Sequence, residues 1–137
     1  MFRLGRQELE GLDWKHRHYV ELNGVRYGYD KCAPKELAIP GAVIDLVKLR
    51  LDHVIPDHYH ASGKERFSVL DGEGILQTRY NDDDPRLETR IVAGDIFTIE
   101  PGERHRVENR SSGNLYLFRC STPGKDSIFT EHPEVFK

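Results

Sequence analysis

Short runs of alternating apolar and polar residues set the rhythm of this chain. From residue 42 to 54, "AVIDLVKLRLDHV" puts Val43, Asp45, Val47, Leu49 and Leu51 on one face of an extended strand, because successive side chains of a strand point to opposite sides. Leu46, Lys48 and Arg50 fall on the other face, which is mixed in character. "HYVEL" and "VRYGY" flank Asn23-Gly24, a dipeptide suited to a tight hairpin turn. Further on, "ERFSVL" meets "ILQTRY" across the Gly-rich reversal of residues 71–74, and the polar loop "NDDDPR" leads into "ETRIV". Ala93-Gly94-Asp95 turns into "IFTIE", Pro101-Gly102 turns again into "HRVENR", and "NLYLFR" follows residues 111–113. Regularly spaced short strands between Gly, Pro and Asp turns predict an all-β sandwich or barrel. No segment carries a long period of 3.6 residues. "RQELEGLDW", residues 6–14, predicts a short helix or turn, and the tail "DSIFTEHPEVFK" a closing strand or short helix lying on the body. The expected organisation is a single domain: residues 1–40 form an N-terminal segment with a β-hairpin that packs on the barrel or on a partner subunit, and residues 41–137 form the barrel.

Composition narrows the class. Charged residues make up 31% of the chain and hydrophobic ones 37%, with a net charge of −3, so there is no basic excess to suggest nucleic acid. No apolar run approaches a membrane span, and "MFRLGRQELEGLDW" lacks the apolar region of a signal peptide; the expectation is a cytoplasmic protein with no membrane partner. Cys32 and Cys120 follow no CxxC spacing and are expected as buried free thiols.

The chemistry gathers in "PDHYHASGKERFSVLDGEG". His58 and His60 share one face of a strand, and Glu65 opens the returning strand on the same face as Phe67 and Val69. Two neutral imidazoles and a carboxylate are a ligand set for a divalent first-row metal. His105, after the Pro-Gly turn, could reach the same interior. His16, His18, His53 and His132 are read as histidines satisfied by hydrogen bonds. "NDDDP", residues 81–85, lacks the ordered spacing of a calcium loop and reads as a solvated hairpin tip. Strand parity turns Arg66 away from Glu65, and Arg104 and Arg106 away from His105, which predicts surface or dimer-contact roles for the three. Gln77, Arg79 and Arg90 are the candidates for polar pocket residues.

Two segments resemble the cupins. The family's first motif, HxH, three or four residues, E, six residues, G, is matched by His58, His60, Glu65 and Gly72, with Asp52 in place of its leading glycine. The second, G, five residues, P, x, G, two residues, H, three residues, N, is matched by Gly94, Gly102, His105 and Asn109, with Glu100 at the usual proline position and Pro101 shifted by one. The resemblance implies a double-stranded β-helix, or jelly-roll, barrel. It implies one divalent transition metal (iron, manganese, zinc or nickel) held by His58, His60, Glu65 and His105, with Asn109 supporting a turn. It also implies a small-molecule substrate or ligand and a homodimer. The stretch "GDIFTIEPGERHRVENRSSGNLYLFRC" further resembles the cupin domain of mannose-6-phosphate isomerases, which implies an enzyme using its metal as a Lewis acid on a sugar or similar polar molecule. An Fe(II) dioxygenase and a non-catalytic small-molecule binder are the alternatives. No general base stands out beyond Glu65, so the catalytic residues are unassigned.

Overall fold

The alternation is realised in the computed structural model, which describes residues 1–123 and 126–137. A short helix, α1 (Arg6–Glu10), precedes the strands β1 (Lys15–Leu22), β2 (Val25–Cys32), β3 (Val43–Leu49), β4 (His53–His60), β5 (Glu65–Asp71) and β6 (Glu73–Arg79). Then follow β7 (Leu87–Val92), β8 (Ile96–Ile99), β9 (Arg104–Glu108), β10 (Leu115–Ser121) and β11 (Ser127–Phe129). They form one curled sheet in the order β7-β6-β9-β4-β2-β3-β10-β5-β8, with β1 added to β2 and β11 to β4.

Curling brings the inward side chains of β3 to β10 into one core. Val47, Leu49, Ile55, Phe67, Val69, Leu76, Ile91, Ile99, Val107, Leu115 and Leu117 form a single buried cluster. Phe97 packs against it and stacks on Phe67, with ring centroids 5.0 Å apart. This is the jelly-roll barrel that the strand pattern and the motifs anticipate.

The mixed outer face of β3 has a physical reason. Leu46 is fully buried beneath α1, against Leu9 and Tyr116, with Trp14 packed alongside. The Trp14 indole N–H donates to the Leu9 carbonyl at 2.8 Å, fixing the exit of the helix. The hairpin β1–β2 turns at Asn23 and Gly24, whose φ values of 52° and 80° are the two positive angles that a tight turn of the primed type requires. β2 then pairs with both β3 and β4, running parallel to the latter. At the far end of the chain, Phe136 is buried against Tyr27 and Val54 on the outside of the barrel. Cys32 and Cys120 are free and half-buried. Among the described residues, no helix is long and apolar enough to cross a membrane.

One expected pairing is not made. "ERFSVL" and "ILQTRY" do not form a hairpin: β5 pairs with β8 and β10, whereas β6 pairs with β7 and β9. Residues 71–74 instead form a corner that carries the chain from one half of the barrel to the other. The corner passes so close to the loop before β10 that a Cβ on Gly72 would run into the Asn114 carbonyl oxygen. A Gly-rich turn signal fixes that the chain bends, not which strands it joins.

Gly72 and Gly102 have φ values of +86° and +81°, yet a Cβ on Gly102 would meet nothing within 4 Å. Gly102→Ala should therefore cost only the left-handed strain, about 1–2 kcal/mol. Gly72→Ala adds a backbone clash and should cost roughly 3 kcal/mol or more. Equal losses in urea unfolding would contradict this account of the corner.

Candidate metal centre

β4 delivers His58 and His60 through a break in its own alternation. Ile55 points into the core and His58 does too, although normal alternation would place residues three apart on opposite faces. The ladder between β4 and β9 shifts register between these two positions. Pro56 has no N–H to donate to a ladder, which makes its neighbourhood a natural place for such an irregularity. The shift turns His58 and His60 inward and leaves Asp57 and Tyr59 outside. His105 of β9 stands directly opposite His58 in the register. Glu65 arrives on β5, from the other half of the barrel.

The structure brings the four residues together. They are almost wholly buried, at 8% exposure for His58, 2% for His60, 1% for Glu65 and 3% for His105. One ligand-capable atom from each lies within 4.8 Å of the others. Glu65 Oε1 is 2.7 Å from His60 Nε2 and 3.2 Å from His105 Nε2. Ligand atoms on adjacent corners of an octahedron with bonds of about 2.1 Å would stand about 3 Å apart.

The protons point the same way. His58 Nδ1 contacts the Pro56 carbonyl at 2.8 Å, His60 Nδ1 the Asp126 carbonyl at 3.1 Å, and His105 Nδ1 the Glu103 carbonyl at 3.1 Å. A carbonyl only accepts, so each Nδ1 donates and carries the proton; a neutral ring then presents Nε2 as a lone pair. Burial, and then the neighbouring His105, hold the His58 ring well below its usual pKa, so it is neutral. The buried Nε2 atoms of His60 and His105 are turned toward the Glu65 carboxylate. Imidazole nitrogens and a carboxylate oxygen thus converge at one buried point. This donor set fits a divalent transition ion.

A cavity of about 40 Å³ opens beside the cluster, walled by Phe67, Val107, Leu117 and Phe129 and reached by Ser127 and Arg119. Arg119 was not among the candidates from sequence. It lies on β10 opposite Asp45 of β3, and Asp45 accepts from its Nε at 2.8 Å and its Nη2 at 2.7 Å. The signal was available: Asp45 shares the inward face of Val47 and Leu49, and Arg119 that of Leu115 and Leu117. Two opposite charges on the inner faces of neighbouring strands mark an interior ion pair.

The expected pocket residues lie elsewhere. Arg79 bonds Asp57 on the outer face, at 2.6 Å from Nη2. Gln77 bonds Glu88 and accepts from Arg106, and Arg90 is exposed and paired with Glu73. Parity does turn Arg66, Arg104 and Arg106 away from the ligands, but Arg106 is not a surface residue. It is 7% exposed because the C-terminal segment covers it, with Glu131 accepting from its Nε at 2.8 Å. Arg104 lies over the outward Tyr59 ring at 4.0 Å and bonds Asp82. Asn109 donates to the Leu49 and Gly113 carbonyls, supporting the turn before β10. Asp52, in place of the motif's first glycine, has φ 62°, a conformation that Asp tolerates better than most residues. Residues 81–85 form an exposed loop; among the described residues, the three histidines and Glu65 are the group that could hold an ion.

Residues 46–118 match the family model described as Cupin domain, and the chain belongs to this family. Among characterised proteins, it is 26% identical over 107 residues to an acireductone dioxygenase of Puccinia graminis f. sp. tritici, a match covering 75% of this chain. The chain spans 59% of that relative's length. A solved structure from Acidithiobacillus ferrooxidans, provisionally assigned as a sugar phosphate isomerase, superposes with a TM-score of 0.66 at 17% identity, over 96% of this chain and 87% of that one. A Thermotoga maritima protein assigned by inference as an oxalate decarboxylase gives 0.63 at 20% identity, over 82% and 94%. At these identities the two structures attest the fold alone.

The Glu131 clasp also bears on the centre, since it holds the segment whose Asp126 carbonyl receives the His60 proton. Burial raises the Glu131 pKa, but hydrogen bonds from Arg106, Tyr27 and the Asp57 amide outweigh it and leave it lowered. A carboxyl depressed in the fold stabilises it above the unfolded value of about 4.3, and this is lost as pH falls through the lower folded value. Glu131→Gln should cost about 1–3 kcal/mol at pH 7 and flatten the loss of stability below about pH 4. Urea unfolding at pH 7 and pH 3 checks this; an unchanged pH dependence would exclude the clasp as its source.

Proposed function

We propose that His58, His60, Glu65 and His105 hold one divalent transition metal and that the protein is an enzyme acting on a small molecule there. The observation that carries this is the convergence of buried Nε2 and carboxylate oxygen atoms, with every Nδ1 proton committed to a main-chain carbonyl. Iron(II) and oxygen chemistry are the best-supported reading. Held by these four residues, Fe(II) would supply oxygen chemistry beside the cavity. The cavity walls are largely apolar, and among the described residues no carboxylate or imidazole beyond the cluster lines them. Such a wall excludes water and suits a reaction that asks little acid–base work of the protein. The likeness to an acireductone dioxygenase supports the same class.

In this reading the chain's own residues have definite work. The three carbonyls hold the imidazoles in one tautomer, Glu65 supplies the negative charge, and Phe67 and Phe129 keep the space dry. A second reading, Lewis-acid isomerisation of a sugar or related molecule, is favoured by the second motif and by the structural likeness to the Acidithiobacillus protein. It needs a proton-transferring base, and the cavity offers Tyr29 in place of a carboxylate. Burial raises the Tyr29 pKa, which makes it a poor base near neutrality.

Protein purified anaerobically without chelator, or reconstituted with Fe(II), Mn(II), Ni(II) or Zn(II), should hold about one ion per chain by elemental analysis. His60→Ala should lose most of it with an unchanged far-UV spectrum. No metal in the wild type after reconstitution would end the metal reading. Oxygen uptake with a panel of enediols and small acids should require the Fe(II) form; turnover of sugars by the Zn(II) form under argon would favour the isomerase.

We also propose a homodimer through residues 15–30. β1 pairs with β2 and with no other strand among the described residues, which leaves its far edge for a partner. Light scattering should give twice the chain mass; a monomer mass would remove the proposal.

A further inference from the structure

Arg119 is the one guanidinium on the inner face of the barrel among the described residues that line the cavity. Its side chain is 14% exposed and Asp45 is 1% exposed. The paired bonds from Nε and Nη2 to the two Asp45 oxygens fix the plane of the guanidinium. That leaves Nη1 as the edge turned toward the cluster, 3.7 Å from Glu65 Oε2, an ion-pair distance too long for a hydrogen bond. Lys31 Nζ adds a second positive group, 3.3 Å from Asp45.

Charge indicates what this edge is suited to meet. Among the described residues, Arg119 and Lys31 place two positive groups beside the single carboxylate of Asp45. A divalent ion in the cluster would add to that positive charge. An apolar enclosure holding net positive charge favours a ligand that brings negative charge in. Size then limits the ligand. A cavity of about 40 Å³ has room for roughly three water-sized groups, enough for a carboxylate and a neighbouring atom but not for a hexose phosphate.

We propose that Arg119 determines specificity by receiving the carboxylate of a small organic acid bound beside the four-ligand cluster. The inference rests on the metal reading above for its charge balance. The planar donor edge matches a planar carboxylate, and the Asp45 fork keeps that edge in place before the acid arrives. Phe67, Leu117 and Phe129 leave space only for a short or apolar remainder.

Glycolate is a suitable probe, with glycolamide as its neutral counterpart and inorganic phosphate as the competing oxyanion, each titrated calorimetrically into Zn(II)-loaded protein of measured metal content. Wild type should bind glycolate at least about tenfold more tightly than glycolamide or phosphate. Arg119→Lys keeps the charge but loses the fork. Asp45→Asn/Arg119→Gln removes both buried charges together, which protects the fold. Both variants should retain about one zinc per chain while glycolate binding falls roughly ten- to hundredfold, the range of a charged hydrogen bond, with glycolamide unaffected. Undiminished glycolate affinity in the metal-loaded double variant, or a wild type that does not prefer glycolate, would overturn the role of Arg119 while leaving the metal centre standing. A wild type that takes up no zinc or other metal would overturn both.

Discussion

The arrangement depends on the break in alternation at Pro56 and Asp57. A regular strand from Ile55 would turn His58 and His60 outward and bring Asp57 and Tyr59 into the core. The irregularity in the β4–β9 ladder reverses this over two residues, and it organises both sides of the barrel wall. Inside, the histidines meet His105 and Glu65. Outside, Asp57 becomes the fully buried acceptor of Arg79 and Thr130, and its amide bonds Glu131. A single shift of register therefore creates an inner cluster of imidazoles with Glu65 and an outer cluster of charges back to back across one strand.

The two clusters solve the problem of buried charge differently. The outer one is balanced by protein alone: Arg106 is met by Glu131, Glu108 and Gln77, and Arg79 by Asp57. Removing one partner there strands the other, the costly way to break a buried pair. In the inner one Asp45 accepts from Arg119, and Glu65 faces the His60 and His105 rings. In the wider groove outside the barrel, beside Tyr116, Arg6 pairs with Asp71 and Arg90 with Glu73.

Much of this was legible in the chain. Period-two alternation gives strands, and the Asn23-Gly24 turn gives their first hairpin. The spacing of His58, His60, Glu65 and His105 singles out the residues that converge. Strand partners were less legible. The corner at Gly72 reads like a hairpin because local turn chemistry records a change of direction, while the partner is decided by hydrophobic contacts distant in sequence. Parity turned Arg106 away from the ligands correctly, but its burial depends on residues 130–136 folding back over it, which no periodicity encodes. Arg79 and Gln77 were misplaced because the inward face of β6 is set by Leu76 in the shared core. Arg119 was visible as an interruption in the Leu115, Leu117 alternation and needed Asp45 on the neighbouring strand to give it meaning.

The three imidazoles are oriented by main-chain carbonyls, those of Pro56, Glu103 and Asp126, not by side chains. Imidazole orientation is therefore insulated from substitution in the layer behind it. Side chains lining the cavity can be exchanged, lengthened or recharged without releasing the protons that define the imidazole tautomers. A barrel holding the proposed metal this way would separate two problems that many active sites solve with the same residues, keeping the centre and choosing the substrate. It could change its substrate by single steps, each leaving the centre intact, and so diversify without passing through forms that have lost it.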